Sequence, residues 1–167
     1  DSVDITVHGI GGHGAYPHTT KDPVLLASQI VVALQTLVSR EVPPQQAAVV
    51  TVGSIHGGTK NNIISNRVDL QLTVRSYSDE VRQLLLTGIE RIAIAEGRVA
   101  GLPDELLPTV VANEEYTPAV YNDPTLTHRI MGVLGKRLGA DNIQRRAPVM
   151  GGEDFGRYGQ VAPKIPI

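Results

Sequence analysis

The stretch from His8 to His18, HGIGGHGAYPH, holds three of the chain's five histidines, spaced five residues apart. Imidazoles in a glycine-rich turn could ligate a metal, move a proton or donate a hydrogen bond to a developing negative charge. A metal site needs imidazoles that converge, from one helix face or from facing elements. His8, His13 and His18 instead fall at a strand end, in a glycine loop and just before a helix. The spacing H-x4-H-x4-H is no recognised ligand pattern, and no acidic residue lies between them. The residues therefore argue against a metal centre here and leave open a loop of solvated histidines.

Three further stretches have chemical capacity. Gly57-Gly58-Thr59-Lys60-Asn61-Asn62-Ile63-Ile64 offers a tight turn with two amides. It lacks the closing Gly-Lys-Ser/Thr of a phosphate loop, and no helix follows it. Arg75 ends an alternating strand on its polar face, where a guanidinium can hold a carboxylate through two hydrogen bonds. Gly151-Gly152-Glu153-Asp154 places paired acids in a glycine loop, a pattern equally common in plain turns. Each signal is weak alone.

The elements that must position these residues can be read from periodicity. Val3, Ile5 and Val7 alternate with polar neighbours and predict a half-buried strand up to His8. Asp22-Pro23 is a helix start, and Ala27, Ile30, Val31, Leu34, Leu37 and Val38 carry that helix to about Arg40. Residues 47–55 read as a second strand. Val68, Leu70, Leu72 and Val74 form the clearest amphipathic strand. Ser78 caps a second helix with Asp79 and Glu80 in its first turn. Its buried stripe runs from Val81 through Leu84, Leu85, Ile89 and Ile92 to Ala93, and Gly97 is the expected stop. A fourth strand is expected within 106–115. Strand, helix, strand, strand, helix, strand is the βαββαβ arrangement: an antiparallel four-stranded sheet with two helices on one face, α/β (α+β) in class.

A change of character follows. Residues 116–122 read as a linker, Asp123-Pro124 as another helix start, and Leu126, Ile130, Val133, Leu134 and Leu138 as a stripe ended by Gly139. Pro148-Val149-Met150 suggests a short strand. One helix, a strand and a loop cannot bury a core alone. We therefore expect two regions, 1–115 and 116–167, the second a fragment of a larger domain. The chain opens on a strand and closes on an apolar run from Lys164, so we expect a piece of a longer protein.

Composition narrows the function classes. With 167 residues, 41% hydrophobic and 19% charged, the chain is an ordinary globular sequence. A net charge of −2 gives no electrostatic case for nucleic acid or an anionic membrane. No apolar run looks long enough to span a bilayer. Cysteine is absent, which removes disulfides, thiolate ligands and a cysteine nucleophile, and fits a reducing, cytoplasmic location.

In combination and in order, four segments resemble the M20 family of metallopeptidases and amidohydrolases, near its N-acyl-amino-acid amidohydrolase and hippurate hydrolase branch. They are Gly11 to His18 with Asp22-Pro23, Gly57 to Ile64, Thr73-Val74-Arg75, and Gly152-Glu153-Asp154-Phe155. The resemblance spans essentially the whole chain. It implies a ferredoxin-like lid, or dimerisation, domain over 1–115, followed by part of an α/β catalytic domain. That catalytic domain binds two divalent metal ions, usually zinc. The metal ligands and the general-base glutamate of the family fall outside these residues, so no metal is expected on this chain and the segment alone is expected to be inactive.

His13 matches the family histidine that reaches a partner's active site and stabilises the oxyanion during attack on an amide carbonyl. Asn62 matches a substrate-contacting asparagine, and Ser65 stands where that motif has proline. Arg75 matches an arginine that binds the substrate carboxylate. Gly152, Glu153 and Asp154 resemble a loop lining the pocket. His8, His18 and His56 match no catalytic position. The implied partners are a small N-acyl amino acid or peptide-like substrate and a second copy of the chain, with no nucleic acid and no membrane. A free-standing βαββαβ module for small-ligand binding or dimerisation is the alternative.

Overall fold

Val68, Leu70, Leu72 and Val74 are buried along one side of a ten-residue strand, while Arg67, Asp69, Gln71, Thr73 and Arg75 lie on the other. In the computed structural model, which describes residues 1–161 and 165–167, this strand is the centre of the fold. The apolar run expected to open at Lys164 lies partly outside the described residues. In chain order the first region contains β1 (Ser2–His8), β2 (Gly12–His13), α1 (Pro23–Thr36), β3 (Ala48–Gly57), β4 (Ile63–Ile64), β5 (Arg67–Ser76), α2 (Asp79–Val99) and β6 (Thr109–Ala112). Its main sheet runs β3-β5-β1-β6, with every neighbouring pair antiparallel. β2 and β4 pair separately as a small ribbon.

Val3, Ile5 and Val7 of β1 bury on the same side as the β5 quartet. Leu26, Ala27, Ile30 and Leu34 of α1 and Val81, Leu85, Ile89, Ile92 and Ala93 of α2 complete one core. Each fully buried aliphatic side chain contributes about 1.5–3 kcal/mol, so this one-sided core holds the domain together. Both helices start on the predicted caps. Asp22 Oδ1 accepts from the Val24 and Leu25 amides at 2.8 and 3.4 Å, and Ser78 Oγ accepts from the Val81 amide at 3.3 Å.

Several boundaries differ from the sequence reading. The α-helix of α1 ends at Thr36, and a π-helical turn over Leu37–Glu41 carries the chain on. The stretch Pro23–Glu41, 19 residues of mean hydropathy 1.4, is long and apolar enough to cross a membrane by length and composition. That corrects the expectation that no apolar run approaches such a length. Its hydropathy is high because both faces are apolar: one packs in the core, while Val24, Leu25 and Val32 face outward. Gly97 is not the stop of α2. The helix continues to Val99, and Gly101 takes the positive φ of +71° that ends it. A glycine stands at 97 because an added Cβ would lie 2.6 Å from Pro108 Cδ and 3.1 Å from Leu107 Cδ2.

Asp1 is almost fully withdrawn from solvent, its side chain 6% exposed against 23% for Arg82. Arg82 Nη2 donates to Asp1 Oδ1 at 2.6 Å and Nε to Oδ2 at 2.9 Å. The same guanidinium lies 3.9 Å from the centroid of the Tyr116 ring. One side chain thus ties the first residue of the region to its last.

The chain divides into two units, Asp1–Tyr116 and Thr117–Ile167. The second contains α3 (Pro124–Leu138) and short 3-10 turns at Ala140–Asn142 and Asp154–Gly159. Asp123 caps α3 by accepting from the Leu126 amide at 2.7 Å, and Gly139, at φ +93°, ends it. No residue of α3 is buried, and Ile130, Val133, Leu134 and Leu138 are exposed. The short strand expected at 148–150 is not formed: those residues are irregular.

Two stability changes follow from these contacts. Gly97→Val should lower the melting temperature, because overpacking against a rigid proline ring costs about 1–3 kcal/mol and outweighs the gain of about 0.3–0.5 kcal/mol from putting valine in place of a helical glycine; a raised melting temperature would refute that packing. Arg82→Leu strands the withdrawn Asp1 carboxylate and should cost about 2–4 kcal/mol, read as a fall in the denaturant midpoint, whereas an unchanged midpoint would show that the pair bears no load.

Candidate functional site

The loop between β1 and α1 is closed at its neck and tied at its tip. Ile10 and Lys21 exchange two backbone hydrogen bonds, both 2.9 Å. At the tip, β2 pairs with β4 so that Gly12 opposes Ile64 and His13 opposes Ile63. The Gly14 amide donates to the Asn62 carbonyl at 2.8 Å, and the Gly9 amide to Asn66 at 2.9 Å. Gly11 permits the approach, since a Cβ there would sit 2.9 Å from the Ile64 carbonyl oxygen. The ribbon brings His13 and Asn62, 49 residues apart in sequence, onto one small structure.

The other strand of the ribbon has its own staple. Ser65 Oγ donates to the Arg67 carbonyl at 2.7 Å and accepts from the Arg67 amide at 3.0 Å. At this position a serine restrains the turn with hydrogen bonds rather than with a proline ring.

His13 is exposed, and its Nδ1 accepts from the Ala15 amide at 3.1 Å. A backbone N–H can only donate. In neutral His13 the single ring proton must therefore sit on Nε2. The imidazole is presented as an outward N–H donor of defined tautomer. Its ring also rests 5.9 Å from the ring of Tyr16, which in turn lies 6.4 Å from the ring of His18. Asn62 is exposed beside it; its carbonyl is occupied by Gly14 and its side-chain amide faces solvent.

Arg75 is not part of this cluster. It lies eight residues along β5 from Arg67, about 26 Å at ~3.3 Å per residue, opposite Val49 of β3. It shares the sheet end that also carries Asp1, Arg82 and Tyr116. His13 and Asn62 thus occupy one end of the sheet and Arg75 the other. Gly152, Glu153 and Asp154 lie in the second unit, in an exposed loop where Glu153 accepts from the Phe155 amide at 3.4 Å.

The three histidines of the opening motif do not converge. Among the described residues no group of three His, Cys, Asp or Glu side chains could hold a metal ion. The donor set of the described residues therefore does not fit a two-metal centre. His8 ends β1 opposite Arg67, near Asp69. A hydrogen bond from Arg67, then one from Thr6 and the nearby His8, holds the Asp69 carboxyl below its usual range. These groups form a polar ladder on the open sheet face rather than a ligand set.

Some contributors were not visible in the linear sequence. Tyr16 lies inside the motif, and its contacts with the His13 and His18 rings depend on the folded loop. Lys21 and the Arg82–Asp1 pair act over 79 and 81 residues of separation, for which single-sequence periodicity has no signal. The pairing of the two glycine loops was foreshadowed only by their shared glycine content.

Comparison with known proteins places these features. Residues 1–99 match the family model described as the M20 peptidase dimerisation domain. An N-acetyldiaminopimelate deacetylase of Leuconostoc citreum is 38% identical over 163 residues, which cover 98% of this chain and 41% of that protein. A solved structure of a putative aminohydrolase from methicillin-resistant Staphylococcus aureus superposes with a TM-score of 0.80 at 31% identity, covering 95% of this chain and 40% of that one. A Bacillus subtilis protein described as a dinuclear metal-binding peptidase of the M20 family matches at a TM-score of 0.66 and 27% identity, covering 95% of this chain and 38% of that one. The chain thus spans about two fifths of the length of these relatives. With its βαββαβ sheet and its paired glycine loops, this chain belongs to the M20 peptidase dimerisation domain family, whose relatives are hydrolases.

Proposed function

We propose that this chain is the dimerisation domain and an adjoining piece of the catalytic domain of a metal-dependent amidohydrolase that cleaves the acyl–amide bond of N-acyl amino acids or related peptide-like substrates. The observation that carries the reading is the state of His13. Its Nδ1 is engaged by the Ala15 amide, so Nε2–H is held ready as a donor on an exposed loop tip. Such a donor stabilises the oxyanion that forms on an amide carbonyl under attack, an effect worth about 3 kcal/mol for one well-placed group. Asn62, on the same ribbon, contacts the bound substrate, and Arg75 clamps its free carboxylate.

One protomer does not bring these groups to one substrate, since Arg75 stands about 26 Å along β5 from the start of the strand that His13 and Asn62 flank. Two copies can. His13 and Asn62 of one chain would then complete a site whose carboxylate clamp belongs to the other, as a two-fold dimer allows. The outer face of α1 suits that interface. Leu25 and Val32 are 60% and 72% exposed, and no charged side chain occurs between Asp22 and Arg40. β3, beside α1, is an open sheet edge. The two divalent ions of the family, expected to be zinc, would be held by residues outside this chain, and the uncovered stripe of α3 fits a unit that packs within a larger domain. Relatives that match across both units favour this over a free-standing ligand-binding module.

Three outcomes are expected of the full-length protein. In a mixed dimer, one chain carrying His13→Ala and the other a disabled metal site should regain activity on a panel of N-acetyl and N-benzoyl amino acids; no gain over either mutant homodimer would end the trans role of His13. Arg75→Ala should raise KM for carboxylate-bearing substrates by roughly tenfold to a hundredfold, and an unchanged KM would remove the clamp. Val32→Glu should convert the dimer to monomer in light scattering, and a persistent dimer would put the interface elsewhere.

A further inference from the structure

We infer that Lys21 is the positioning residue for His13, acting from the neck of its loop through the C-terminus of α2; the inference rests on the oxyanion role proposed above. Lys21 is half-buried, and its Nζ donates to the Ala100 carbonyl at 3.0 Å. Ala100 caps α2, a helix of 21 residues anchored in the core by Leu85, Ile89 and Ala93. The last carbonyls of a helix lack intrahelical donors and carry the negative end of its dipole, so an ammonium is the fitting partner. Gly101 leaves the room: besides its φ of +71°, a Cβ there would lie 2.9 Å from Lys21 Nζ.

The loop needs that anchor. Its inner ties, Thr19 Oγ1 to the Tyr16 carbonyl at 2.9 Å and Thr20 Oγ1 to Pro17 at 2.8 Å, hold the loop to itself. The tip is braced by β4, itself two residues long and carried on a turn. The neck is where the loop meets the body of the domain. There the Lys21 backbone pairs with Ile10 while its side chain reaches α2. One residue therefore closes the loop and fastens it to a helix packed into the core. An oxyanion donor must be held within about 0.5 Å of its productive place, and a misplacement of about 1 Å can cost a hundredfold in rate. Lys21 touches no substrate in this scheme; it limits where His13 can be.

The test uses the full-length enzyme and the member of the N-acyl amino acid panel turned over fastest. Lys21→Met keeps the aliphatic stem and removes the donor. It should lower kcat about tenfold with KM unchanged, and Lys21→Arg, which still reaches a carbonyl, should restore most of the loss. In a His13→Ala background the Lys21→Met change should cost nothing further, because the group it positions is gone. Hydrogen exchange should quicken at the Ile10 and Lys21 amides and stay slow at Leu85 to Ala93. Full activity of Lys21→Met beside an impaired His13→Ala enzyme would overturn this inference and leave the role of His13 standing. Additive losses, or a loss that Arg does not rescue and that tracks a lowered melting temperature, would also overturn it. A fully active His13→Ala enzyme would overturn both.

Discussion

The one-sided burial of β5 and β1 is the constraint on which everything else in the first unit depends. Side chains alternate along a strand, so burying Val68, Leu70, Leu72 and Val74 sends Arg67, Asp69, Gln71, Thr73 and Arg75 to the opposite face. A slip of one residue would exchange those faces and bury the charges. The register is therefore decided by core formation, and the helices are confined to one side. With that register set, β1 must end at His8 beside Arg67, and β3 must end at Gly57 beside Val68. Both glycine loops then leave the sheet at the same end.

This shared exit explains how so short a ribbon can join the two glycine loops. Short strands are weak alone. Here the two halves are delivered to each other by strands already paired with β5, so little further chain entropy is lost in joining them. The glycines remove the side chains that would keep the backbones apart, as at Gly11 against Ile64. The result is an exposed histidine whose tautomer is decided by a backbone amide. A polar group on a flexible coil would have no such preference.

The opposite end of the sheet has a different character. Asp1 and Tyr116, the limits of the unit, meet there through Arg82. A charge withdrawn from solvent is tolerated because its partner is bidentate and stacked on an aromatic ring. Arg75 belongs to this end. The candidate residues are therefore divided between two ends of one sheet, His13 and Asn62 at one and Arg75 at the other.

Much of this was legible in the residues. Strict alternation in β1 and β5, the Asp-Pro and Ser-Asp-Glu helix starts, and the stripes of both helices determined the βαββαβ order, because those signals are local and repeat with the period of the element they form. His13, Asn62 and Arg75 could be singled out as candidates from the motifs that hold them. Distances between them were not legible. The ribbon, the Lys21 tether and the Asp1–Arg82 pair all rest on contacts between residues far apart in sequence. Gly97 shows the difference: local propensity reads it as a stop, while the proline ring of Pro108 makes it a packing site inside the helix. Composition and periodicity determined which elements form and which faces they bury; only tertiary packing decided which loops meet and how far apart the candidate residues stand, since those depend on where separate elements come to rest against a common core.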